Sequence, residues 1–96
     1  MSDRAPTSGR VEILLLEADE HAATYRVLLH AADRCWQADA CITDTVALGP
    51  FAPGDAPPWL ADDARGFLRT LAAQRRRGET RWPRRLHRWR AAPGTG

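Results

Sequence analysis

The chain has 96 residues, enough for one domain with a modest core, and 44% of them are apolar, which excludes wholesale disorder. Its longest apolar run, Ile13 to Leu16, is far too short to cross a membrane, and the polar stretch Met1 to Arg10 lacks the apolar core of a signal peptide, so a cytoplasmic protein is expected. The formal charge of +2 hides a segregation: residues 1–64 set four arginines against eleven acids, a net of −7, whereas residues 65–96 set ten arginines against Glu79 alone, a net of +9.

Residues 1–10 read as a flexible tail, residues 11–90 as a single α+β domain and residues 91–96 as a second tail. Val11 to Glu17 is a predicted strand: Val11, Ile13 and Leu15 fall on one face, and Glu12, Leu14 and Leu16 on the other. Ala18 to His21 turns the chain. A second strand follows over Thr24 to His30, with Tyr25, Val27 and Leu29 on one side. A third runs over Cys35 to Thr43, where Trp36, Ala38, Ala40 and Ile42 alternate with Cys35, Gln37, Asp39 and Cys41. Three strands with short connections predict an antiparallel meander. Cys35 and Cys41 lie about 20 Å apart along such a strand, too far for a disulfide. Two free thiols suit a reducing compartment.

Thr45 to Leu48 is a candidate extension of the sheet. Gly49 to Pro58 is read as a loop because four prolines and two glycines fall in ten residues. A long amphipathic helix begins near Pro57 or Pro58, since proline is tolerated in a first turn. Leu60, Ala64, Phe67, Leu68 and Leu71 recur at the helical period and form one stripe. Asp62 and Asp63 are assigned to the first turn, where they complement the dipole. Gly66 is expected where the helix nears the sheet. Arg75, Arg76 and Arg77 suit the C-terminal end, and Gly78 is the expected stop. A short second helix is predicted from Pro83 to about Arg90, with Trp82, Leu86 and Trp89 sharing a face at i, i+4 and i+7. The expected architecture is thus a three-stranded antiparallel β-meander, one long amphipathic helix and a short C-terminal helix.

No metal-ligand spacing joins His21, His30, His87, Cys35 and Cys41, and no nucleophile elbow, phosphate loop or dinucleotide fingerprint occurs. Neither enzyme activity, metal nor cofactor is expected. The arginine cluster points elsewhere. Arg75, Arg76, Arg77, Arg81, Arg84, Arg85, Arg88 and Arg90 have Glu79 as their one local counter-charge, more positive charge than a helix end requires. Such a cluster is the electrostatic footprint of a nucleic-acid-binding surface, for DNA or RNA without sequence preference. Two other readings compete. The arginines can neutralise the acidic half of the same fold, or dock on an acidic protein partner. The second sheet face, with Leu14, Leu16 and Leu28, looks apolar enough for a homodimer unless the short helix covers it. Trp82 and Trp89 are expected to be mainly core.

Overall fold

Three strands form where alternation predicted them. The computed structural model describes residues 8–31, 33–78 and 81–91. Of the tails expected over residues 1–10 and 91–96, residues 8–10 and 91 are strand instead, with Ser8 and Ala91 cross-strand partners; residues 1–7 and 92–96, and Glu79, lie outside the described residues. Strand β1 is Ser8–Ala18, β2 is Ala23–Ala31 and β3 is Arg34–Ile42. In register, Val11, Ile13 and Leu15 face Leu29, Val27 and Tyr25, which in turn face Trp36, Ala38 and Ala40. These residues share one face, and all but the half-buried Leu15 are buried. The β1–β2 turn is fixed by the Asp19 carboxylate, which accepts the backbone N–H groups of His21 at 2.7 Å and Ala22 at 2.9 Å. Leu16 is the extra residue of a bulge between Leu15 and Glu17, which turns it outward.

Strand β4, Val46–Leu48, extends the sheet beside β3. The proline-rich loop after it is irregular, but it does touch the sheet: Gln37 and Ala52 exchange two backbone hydrogen bonds of 2.9 Å. Ala52 lies between Pro50 and Pro53 and keeps the N–H that both prolines lack.

Helix α1, Pro58–Arg76, crosses the sheet and buries Leu60, Ala61, Ala64, Leu68, Leu71 and Ala72, with Phe67 half-buried beside them. Pro58 occupies the first turn, where its missing N–H has no intrahelical partner to lose. Two expectations fail here. The first turn holds no acid: Asp62 and Asp63 lie one turn further on, where Asp62 makes an exposed ion pair of 3.1 Å with Arg65. Gly66 is not a point of close approach, since a Cβ there would meet nothing within 4 Å. The tight contact is at Gly9, where a Cβ would lie 3.0 Å from the His30 carbonyl oxygen and 3.1 Å from both methyls of Leu60. Gly78, with φ of 100°, closes the helix as expected.

The largest departure is C-terminal. The segment predicted as a short helix over Pro83 to Arg90 is a strand, β5, spanning Arg85–Ala91 and paired antiparallel with β1. The sheet therefore has five strands in the order β4-β3-β2-β1-β5, with one helix on one face, in place of a three-stranded meander with two helices. The physical reason is long-range. An isolated helix of about eight residues is marginal, while the outer edge of β1 offers a row of backbone groups that an extended segment satisfies. Leu86 then meets Ile13 across the strands and packs against the core. Leu86 and Trp89 are an odd number of residues apart, so a strand puts them on opposite faces.

The two glycines give opposite expectations. Gly66→Ala should raise stability by about 0.5–1 kcal/mol, because the site is open and helical. Gly9→Ala should lower it by about 1–3 kcal/mol, because the nearest obstacle is backbone. Urea midpoints of the two variants check this; a Gly9→Ala midpoint at or above wild type would contradict the close contact.

Candidate functional site

Helix α1 covers one sheet face. Among the described residues no element covers the other, so the cover expected from a C-terminal helix is absent. Cross-strand register orders the open face into rows. Trp89, Arg10, His30 and Cys35 are successive partners; His87, Glu12, Leu28 and Gln37 form the next row, and Arg85, Leu14, Arg26 and Asp39 the third.

Glu12 is the centre of this face and, despite its place there, is only 6% exposed. Arg85 donates through Nε at 2.9 Å to Oε2, and its terminal nitrogen lies at 2.5 Å. Arg10 stands 3.6 Å from Oε1, and His30 Nε2 lies 3.4 Å from the same oxygen. Burial pushes the carboxyl pKa up. The hydrogen bond and charge of Arg85, the His30 contact and the charge of Arg10 outweigh it, so the group lies below its ordinary value. The Arg85 side chain remains 62% exposed, so its guanidinium is both anchored and presented to solvent.

Arg10 links this cluster to Trp89. Its guanidinium carbon lies 5.6 Å from the centroid of the indole, and Trp89 itself is 66% exposed. The expectation that Trp89 is core is therefore corrected. Trp82 is different. It is half-buried, stands edge-on to Tyr25 with centroids 6.4 Å apart, and donates through Nε1 to the Asp19 carbonyl at 3.1 Å. The Tyr25 hydroxyl donates to the Pro83 carbonyl at 2.8 Å, and burial pushes this phenol up to about 12. These contacts fix the segment that enters β5.

The eight arginines singled out from the sequence divide into groups. Arg75 stacks over Trp82 at 4.9 Å and donates to the Glu20 carbonyl; Arg76 donates to the Asp44 carbonyl at 2.6 Å. Both tie the helix end to the sheet turns. Arg85 meets Glu12, a direct instance of the basic half neutralising the acidic one. Arg77, Arg81 and Arg84 are exposed, and their side chains make no hydrogen bond or ion pair among the described residues; Arg81 and Arg84 line a cleft with Gln74, Trp82 and Pro83. Arg88 and Arg90 pair through their backbones with Val11 and Gly9. The two-helix arrangement expected to bring the eight together is corrected, because Arg85–Ala91 is a strand.

Sequence reasoning missed Glu12, Arg10 and His30. The available signal was one acid in the otherwise apolar run from Val11 to Leu16. A second concavity, of about 550 Å³, lies between the helix end and two turns, lined by Glu20, His21, Thr43, Asp44, Arg75 and Arg76. Its two arginines are occupied by backbone carbonyls. Among the described residues no three His, Cys, Asp or Glu side chains converge, and no helix is long and apolar enough to cross a membrane. Cys35 and Cys41 are free and exposed. No family model, curated protein or solved structure matches this chain.

The Glu12 cluster makes stability depend on pH with a defined sign. A carboxyl lowered below its ordinary value of 4.5 contributes stability that is complete above that value and is lost as the pH falls through the folded-state pKa. Glu12→Gln should therefore cost about 1–3 kcal/mol near pH 7, and the deficit should shrink as the pH falls below 4.5 and through the folded-state pKa. Denaturant midpoints of both proteins across this range check it; a deficit that does not change with pH would mean that the charge of Glu12 contributes nothing.

Proposed function

We propose that the protein binds nucleic acid, without catalysing a reaction, through the basic connection from α1 into β5. The observation that carries this reading is the division of the arginines. Those that the fold uses are docked on carbonyls or on Glu12. Arg77, Arg81 and Arg84 are left exposed without a counter-charge among the described residues, and they run directly into Arg85 on the open face. Forked guanidinium donors of this kind bind phosphate oxygens well and carry no base preference of their own.

The competing reading is a protein partner, either acidic or a second copy. Its support is the apolar part of the open face, where Leu14 and Leu28 are half-buried and Leu16 is 46% exposed. The ionic cluster around Glu12 and the Arg26–Asp39 pair interrupt that area, which makes it a poor continuous apolar interface.

If Arg77, Arg81 and Arg84 meet phosphates, log affinity for random-sequence duplex DNA should fall against log salt with a slope of about −3. Replacing Arg81 and Arg84 together with alanine should make the slope shallower by about two and leave the thermal transition in place. Titration of both proteins at several salt concentrations checks this. Absence of binding to DNA and RNA at tens of micromolar protein, within the range of non-specific affinities at physiological salt, would end the nucleic-acid reading.

A further inference from the structure

We infer that the open sheet face selects single-stranded over duplex nucleic acid, by stacking an unpaired base on Trp89. This rests on the nucleic-acid reading above and adds the form of the ligand. A large apolar ring at 66% exposure on a sheet face is unusual for a structural residue, and it stands free of the core that holds the other rings. It is also held in place. Glu12 holds Arg10, and Arg10 lies against the indole, so the ring is oriented before a ligand arrives. His87, exposed two residues earlier on the same face of β5, adds a second planar ring about 7 Å along the strand. Arg85, two residues earlier again, continues the line toward Arg84 and Arg81.

The geometry of the face sets the choice between one strand and two. Five strands at about 4.8 Å spacing make a surface roughly 19 Å across. The major groove of a duplex, about 12 Å wide, admits a helix or a two-stranded ribbon but not this sheet. A paired base cannot reach Trp89 without leaving the stack, whereas every base of a single strand offers a π face at once. On the face itself Arg10, Arg26 and Arg85 are matched by Glu12, Glu17 and Asp39, so the charge that meets phosphates beside a stacked base is that of the exposed Arg81 and Arg84, which lead into Arg85.

The test is fluorescence anisotropy of a labelled mixed-sequence 20-mer, as a single strand and as a duplex, in low salt, with the wild-type chain, Trp89→Ala and Arg81→Ala/Arg84→Ala. The inference predicts that the single strand binds at least about tenfold tighter than the duplex. Trp89→Ala should lose about five- to hundredfold for the single strand, the range that one base–aromatic stack is worth, and change duplex binding by less than about twofold. The double arginine variant should weaken both ligands, which separates phosphate contact from stacking. Equal affinity for the two forms, or a Trp89→Ala loss equal for both, would overturn the inference while leaving nucleic-acid binding in place. Absence of any binding would remove both readings. Because Trp89 is exposed, Trp89→Ala should keep the wild-type melting temperature. If sedimentation shows a dimer of the wild-type chain that Trp89→Ala dissociates, and no single strand binds, the occupant of the face is a second copy and the inference is wrong.

Discussion

The pairing of β5 with β1 is the constraint on which the rest of the molecule depends. It joins residues near the two ends of the described chain, and it converts an arginine–tryptophan string into the edge of a sheet. Without it, β1 would be an edge with unsatisfied backbone groups and Ile13 would lose its neighbour Leu86. The helix makes the pairing possible. It starts after the β4 edge, crosses the buried face, and delivers the chain to the opposite edge. At its end, Trp82, Tyr25 and the Pro83 carbonyl hold the entry into β5.

This topology resolves the charge segregation. Joining an acidic half to a basic half does not neutralise them evenly. Arg85 reaches Glu12 across the β1–β5 seam, and Arg75 and Arg76 donate to the Glu20 and Asp44 carbonyls. The side chains of Arg77, Arg81 and Arg84 are exposed and have no ion-pair partner among the described residues. A buried ion cluster such as that of Glu12 is weak evidence for stability by itself, because desolvation offsets much of its attraction. Its clearer consequence is positional: it gathers Arg85 and Arg10 around one carboxylate, and Arg10 lies against the Trp89 ring. The proposed binding to single strands uses groups that the fold has already oriented.

Much of the fold was legible because its signals are local. Alternation marked β2 and β3, the Leu60–Leu71 stripe marked the helix, and Gly78 marked its end. β5 was not legible because Trp82, Leu86 and Trp89 fit a helical period, and nothing near them in sequence reveals that β1 lies alongside. The same non-locality hid the site. Glu12 stood out of phase in an apolar strand, but its partner Arg85 is 73 residues away. Trp89 reads as core while it shares a face with Leu86, and as surface once the segment is extended. Basic residues were visible as a group, but their division into docked and free sets follows from the turns that Arg75 and Arg76 happen to meet.

Amide hydrogen exchange along β5, resolved residue by residue by NMR, tests the β1–β5 seam most directly. Leu15 N–H donates to the Arg84 carbonyl at 2.9 Å, which fixes the phase of the ladder. Continuing that phase through the register, the amides of Leu86 and Arg88 point toward β1, while those of His87 and Trp89 point away from the sheet. The account predicts alternation, with slow exchange at Leu86 and Arg88 and fast exchange at His87 and Trp89. Continuous protection from Leu86 to Trp89 would restore a helix, and uniformly fast exchange would remove the segment from the sheet; either result would contradict the account.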